Sequence, residues 1–163
     1  MIIRIKNNFE MKKKVLFSIM IYSLFFINCK SENPASVPSK GSGESAVIML
    51  TNDSFKKLVF NYEDNKEWKY EGNMPAIIDF YADWCAPCRQ LSPLVDEVAK
   101  EYAGKIVVYK VDTEKEKALS QSIGITGLPT LLFIPAEGQP RLSMGALPKA
   151  SLVKAINEIL LVK

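Results

Sequence analysis

The chain has 163 residues, of which 48% are apolar and 24% are charged, and this composition suits one globular domain with additional sequence at an end. Five of the 21 basic residues and one of the 18 acidic residues precede position 29, which leaves 16 basic against 17 acidic residues and no basic excess for nucleic acid. The absence of histidine excludes Cys-His and Ser-His catalysis and argues against a catalytic zinc site.

The N-terminus has the features of an export signal. Lysines at 12–14 precede a nearly continuous apolar run from Val15 to Ile27. This run is shorter than the roughly 20 residues of a membrane-spanning helix, so a cleaved signal is favoured over a permanent anchor. Cys29 ends the run in a context that resembles a bacterial lipoprotein box, although Asn28 replaces the usual small residue. We expect a signal peptide over residues 1–28 and a lipid on Cys29, with an incidental thiol as the alternative.

Residues 29–45 are predicted to form a flexible tether. They are rich in Ser, Pro, Gly and Lys and contain almost no large apolar residue, so they cannot bury enough surface to fold. Such a spacer lets a lipid-anchored domain reach partners away from the membrane. We therefore expect a periplasmic domain over residues 46–163, attached to a membrane through Cys29.

Within residues 46–163, apolar segments alternate with polar ones. Strands are predicted at 46–50, 76–82, 106–111, 130–134 and 140–144, the last two joined by a turn at 136–139. Helices are predicted at 54–60, from the cysteines to Gly104, at 117–123 and at 147–162. No structure is predicted for 61–73. This order indicates an α/β fold with a central mixed sheet and helices on both faces.

Cys85 and Cys88 follow the strongest predicted strand and open the clearest predicted helix. Their spacing brings the two sulfurs close enough to bond, with Cys85 pointing outward and Cys88 further in. The partial positive charge and free N–H groups of the helix N-terminus favour a thiolate and lower the pKa of Cys85. The pattern indicates a redox-active pair.

Half of a zinc site and a structural disulfide are the alternatives for this pair. Half of a zinc knuckle has this spacing, but a closed zinc site needs four ligands and the sequence offers no second pair, so no metal is expected. A purely structural disulfide would close a very short loop, which stabilises a fold little. Neither alternative accounts for the position between a strand and a helix.

The segment from Asp79 to Cys88 resembles the active-site segment of thioredoxins. Further along, residues 127–130 (Gly-Leu-Pro-Thr) are similar to the cis-proline loop of that family, Pro93 to its helix-kink proline, and Gly145 to the glycine near its substrate groove. The similarity extends from about Val47 to the C-terminus and is greatest to the exported, periplasmic thioredoxins of Gram-negative anaerobes. The family usually has Gly-Pro between its cysteines, whereas this chain has Ala-Pro.

The resemblance implies a thioredoxin fold and specific roles for the site residues. Cys85 would attack a substrate disulfide and Cys88 would resolve the mixed disulfide. Asp79 would accept the proton of Cys88, assisted by Lys110. Because Asp79 lies inside an apolar run, its pKa should be raised. The alternative is a structural role for Asp79, in which its carboxyl group faces a water pocket or caps a neighbouring element.

The resemblance also implies a groove for extended peptides. A cis Pro129 would expose the backbone of Leu128 for pairing with a substrate strand, and a simple turn proline is the alternative. The remaining residues expected to contact substrate are Trp84, Ala86, Pro87 and Gly145.

These features predict a monomeric protein-disulfide reductase that uses no cofactor. The sequence contains no glycine-rich phosphate loop, so we expect electrons to come from a membrane thiol-disulfide protein. The alternatives are a disulfide oxidant or isomerase, and a non-enzymatic module that binds extended peptides.

Overall fold

A five-stranded mixed sheet forms the centre of the domain. The computed structural model describes residues 47–161; the predicted signal peptide, Cys29 and the predicted tether lie outside the described residues. The strands are β1 Val47–Met49, β2 Ala76–Tyr81, β3 Val107–Asp112, β4 Thr130–Ile134 and β5 Arg141–Met144. Their spatial order is β1-β3-β2-β4-β5. β3 pairs with β1 and β2 in parallel, whereas β4 pairs antiparallel with β2 and β5.

Helices connect most of these strands. They are α1 Asn52–Leu58, α2 Ala86–Glu101, α3 Lys117–Ile123 and α4 Lys149–Ala155, and α4 continues into a π-helical turn, Ile156–Leu160. The predicted elements are all present, but α2 ends before Gly104, which instead adopts a left-handed conformation (φ 79°) in the following turn. The last helix begins only after Pro148, whose backbone is extended. Its final turn is π-helical, an irregularity that periodicity does not reveal.

Residues of β2 alternate between hydrophobic clusters on the two faces of the sheet. Ile78 packs in a cluster with Phe55 of α1 and Leu119 of α3. Ile77 packs in a second cluster, which is built with α2 and α4. The sheet therefore has helices on both faces, as predicted. Because side chains two residues apart in a strand share a face, Asp79 lies on the same face as Ile77, the one that α2 covers.

The segment between α1 and β2, for which no structure was predicted, packs on the first cluster. The rings of Phe60 and Trp68 lie 4.8 Å apart, and Trp68 stacks on Tyr70. Aromatic residues spaced irregularly through a turn-rich segment have no period from which their burial could be predicted. Among residues 47–161, no helix is both long enough and apolar enough to cross a membrane.

Candidate active site

Cys85 and Cys88 form a disulfide at the N-terminus of α2. Cys85 is the N-cap residue of this helix, and its Sγ accepts a hydrogen bond from the backbone N–H of Cys88 at 3.2 Å. Pro87 lies in the first turn of the helix, where the backbone N–H that proline lacks has no intrahelical partner in any case. The helix therefore presents a free N–H donor to the sulfur of Cys85, as a stabilised thiolate requires.

The expectation that Cys85 points outward is wrong for this disulfide form. Both cysteines are only 3% exposed, and they cluster with Ala82 while Tyr81 and Leu128 pack against them. The physical reason is packing, because the side chains of Tyr81 and Leu128 limit the access of water to both cysteines. Ala86 and Pro87, between them, are exposed.

Asp79 is the buried acid of the site. Its side chain is 1% exposed, and Oδ1 has no hydrogen-bond partner in the described part of the chain. Burial raises the pKa of Asp79 to about 6; the positive charge of Lys110 opposes the shift and the negative charge of Asp96 adds to it. The raised pKa agrees with the expectation from its apolar surroundings. A carboxyl group with this pKa can bind and release a proton near neutral pH.

Lys110 lies beside Asp79 on the neighbouring strand, where the two are register partners of β3 and β2. Its ammonium group, however, binds residues of α2. Nζ lies 3.0 Å from Oδ1 of Asp96 and also donates a hydrogen bond to the hydroxyl of Ser92. Thus the structure places Lys110 near Asp79 in the sheet but pairs its charge with Asp96.

The loop before β4 lies against the cysteines. The Leu128–Pro129 peptide bond is cis, and the half-buried Leu128 packs against the cysteine cluster. The backbone N–H and carbonyl of Leu128 form no hydrogen bond with the residues that the structure describes. Gly145, at a left-handed φ of 95°, donates its backbone N–H to the carbonyl of Pro129 at 2.8 Å.

Trp84, next to Cys85, is an exposed aromatic residue. It is 67% exposed, as expected for a residue that contacts substrate. Trp84 and Leu128 both line a surface depression of about 310 Å³, whose other lining residues come from α3 and the loops around it. Two of the sequence-predicted groove residues, Trp84 and Leu128, therefore share one surface depression.

The sequence did not point to Asp96 and Ser92. These residues lie one helical turn apart on α2, so their side chains share a face. A polar pair four residues apart, directly beside the apolar stripe of the helix, is the available signal. In residues 47–161, no group of three or more His, Cys, Asp and Glu side chains is arranged to hold a metal ion.

Comparisons with known proteins agree with this geometry. The family model described as thioredoxin matches residues 46–158. A thioredoxin of Borreliella burgdorferi is 47% identical over 111 residues, which cover 68% of this chain and 95% of the relative. A thioredoxin of Pyropia yezoensis is 36% identical over 113 residues, which cover 69% of this chain and 96% of the relative.

The fold is similar to that of a solved thioredoxin. A crystal structure of chloroplastic thioredoxin z superposes with a TM-score of 0.59 at 27% sequence identity. The superposition covers 69% of this chain and 93% of that chain.

Proposed function

The chain belongs to the thioredoxin family and is a protein-disulfide oxidoreductase, and from this premise we propose that it reduces protein disulfides outside the cytoplasm. The observation that carries the proposal is the Cys85–Cys88 disulfide at the start of α2, next to the loop of Leu128. The surrounding groups supply what each step of reduction needs.

In the first step, the thiolate of reduced Cys85 attacks one sulfur of the substrate disulfide. A bond forms between Cys85 and that sulfur, the substrate disulfide breaks, and the other substrate sulfur leaves as a thiolate that takes up a proton. The N–H of Cys88, which faces Sγ of Cys85 in the disulfide form, stabilises the attacking thiolate.

In the second step, Cys88 resolves the mixed disulfide. Asp79 takes up the thiol proton of Cys88, and the resulting thiolate attacks Cys85 and releases the substrate as a dithiol. The low exposure and raised pKa of Asp79 suit it as the acceptor, because the carboxylate becomes more basic when it is desolvated. Two electrons have then moved from the protein to the substrate.

The substrate is held as an extended segment beside Leu128. The unused backbone N–H and carbonyl of Leu128 pair with the substrate backbone, which is how added strands gain affinity. The exposed face of Trp84 and the surfaces of Ala86, Pro87 and Gly145 contact its side chains. Lys110 lies beside Asp79 on the neighbouring strand, with its ammonium group held by Asp96 and Ser92 of α2.

Each cycle leaves Cys85 and Cys88 oxidised, so a dithiol donor must reduce them again. We place this donor in the membrane, and we place the domain in the periplasm, tethered through lipid on Cys29. The support is the lysine-rich and apolar N-terminal sequence and the tether-like composition after Cys29. Mass spectrometry of the mature protein tests the anchor; an unmodified Cys29, or an N-terminus downstream of it, contradicts this part of the proposal.

Serine substitutions test the chemistry. Cys85→Ser should abolish insulin-disulfide reduction, since a serine hydroxyl stays protonated at neutral pH. Cys88→Ser keeps the nucleophile but cannot resolve, so it should accumulate a covalent substrate adduct that a non-reducing gel reveals and dithiothreitol releases.

The same two variants distinguish other functions. A module that only binds peptides would bind them in both variants and form no adduct. Formation of the adduct by Cys85→Ser instead of Cys88→Ser would show that the nucleophile is misassigned. Equilibration of the wild-type pair with glutathione separates a reductase from an oxidant or isomerase, because about 30 mV in potential corresponds to roughly 1.4 kcal/mol.

A further inference from the structure

The ion pair between Lys110 and Asp96 joins the central sheet to α2 beside the buried acid. The side chain of Lys110 is only 12% exposed, whereas that of Asp96 is 50% exposed at the surface of the helix. Ser92, one turn earlier on α2, accepts a second hydrogen bond from the same ammonium group. Two groups on α2 thus hold a cation that originates on β3.

This arrangement directs the charge of Lys110 away from Asp79. No oxygen of Asp79 lies within the 4.0 Å that defines an ion pair with Lys110, and Oδ1 of Asp79 has no partner among the described residues. A lysine freed from α2 could pair with its register partner Asp79 and stabilise the carboxylate. A carboxylate stabilised in this way is a weaker base.

We propose that Asp96 is a positioning residue for disulfide exchange: its carboxylate, together with the Ser92 hydroxyl, holds the ammonium group of Lys110 on α2 and leaves Asp79 free to accept a proton. This inference rests on the proposed role of Asp79 as proton acceptor. It assigns to Asp96 no contact with the substrate or with the reacting sulfur atoms.

The charged groups that act on Asp79 come from the elements around it. Lys110 on β3 lowers its pKa, Asp96 on α2 raises it, and the hydroxyl of Tyr81, further along β2, is in turn affected by the charge of Asp79. Removing the charge of Asp96 should lower the pKa of Asp79 in two ways. It removes a negative neighbour and releases a positive one, and both changes lower the pKa of Asp79.

Carbon-13 NMR titration of the Asp79 carboxyl group in the oxidised protein tests the inference directly. Asp96→Asn should shift the titration midpoint of Asp79 downward by about one pH unit relative to the wild type. The acid limb of the pH profile of insulin reduction should move to lower pH in the same variant. Asp96→Glu, which keeps the charge, should restore both midpoints toward wild-type values.

Glu97→Gln is the matched control. It removes the same charge from the same helix, but Glu97 binds Lys149 of α4 at 2.6 Å and has no contact with Lys110. Its Asp79 midpoint should equal that of the wild type. A midpoint in Asp96→Asn that shifts no further than in Glu97→Gln overturns the inference.

The NMR measurement does not depend on turnover, so the two proposals can fail separately. A wild-type protein that reduces no disulfide contradicts the proposed function, whatever the titration shows. An active wild type whose Asp79 titration and pH profile are both unchanged by Asp96→Asn contradicts only the role of Asp96.

Discussion

Two buried carboxyl groups on adjacent strands behave in opposite ways. Asp79 on β2 has an oxygen without a partner, and burial raises its pKa to about 6. Asp112, at the end of β3, is also buried, but it accepts hydrogen bonds from Lys115 at 2.8 Å and from the backbone N–H of Glu114 at 3.0 Å. Burial acts to raise the pKa of Asp112 too, yet these partners hold it below its ordinary value.

The difference shows that burial alone does not make an acid reactive. Asp112 is buried and satisfied, so it stays ionised and stabilises the turn after β3. Asp79 is buried and unsatisfied, which costs stability and leaves a group able to exchange a proton near neutral pH. The comparison yields four predictions, of decreasing expected size.

The largest difference is expected in activity. Asp79→Asn should slow insulin-disulfide reduction at pH 7 by roughly tenfold or more, because an amide cannot accept the proton of Cys88. Asp112→Asn should retain nearly full activity, since that carboxyl group serves only the turn. Equal losses in the two variants would contradict the assignment of Asp79 as the proton acceptor.

Asp79→Asn should also stabilise the fold at neutral pH. The pKa of Asp79 is near 6 in the folded protein, whereas its ordinary value is 3.8. The free energy of unfolding of the wild type therefore falls as pH rises from about 4 through 6, because the buried carboxyl group must ionise in the folded state. Above pH 7 the variant should gain on the order of 3 kcal/mol in the free energy of unfolding, and below pH 4 no gain. Urea unfolding of the oxidised proteins at several pH values measures this; a gain independent of pH would contradict it.

Asp112→Asn should lower the free energy of unfolding at neutral pH, opposite to the effect of Asp79→Asn. The pKa of Asp112 is lowered in the folded state. Its ionised carboxyl group therefore stabilises the fold at pH values above its pKa in the unfolded chain, and this stabilisation is lost as pH falls through its pKa in the folded protein. We expect a loss of about 1 to 2 kcal/mol at pH 7 that diminishes toward acid pH, since the amide keeps an acceptor for Glu114 but no charge. The same urea titrations provide the measurement.

Lys115→Gln should have the smallest effect. The lysine side chain is 75% exposed, so water competes for its ammonium group and the pair with Asp112 contributes little to stability. This loss should shrink further in high salt. A loss as large as that of Asp112→Asn would show that the ion pair, and not the backbone hydrogen bond, stabilises Asp112.

The secondary structure was largely predictable because its signals are local. The apolar run of β2, the stripe along α2 and the apolar segment of β4 each specify an element through their own spacing. The misplaced end of α2 and the π-helical turn that follows α4 are irregularities at helix ends, where several conformations compete at similar free energy.

The sequence by itself determined that Cys85 and Cys88 open a helix directly after a buried strand that carries Asp79, because strand, turn and helix are contiguous in the chain. Tertiary structure alone decided that Lys110 pairs with Asp96 on α2, that Tyr81 and Leu128 cover the disulfide, and that Trp68 packs on Phe60. Those contacts depend on strand register and on the rotation of each helix about its axis. Both are set when the whole core packs, and no local pattern specifies them.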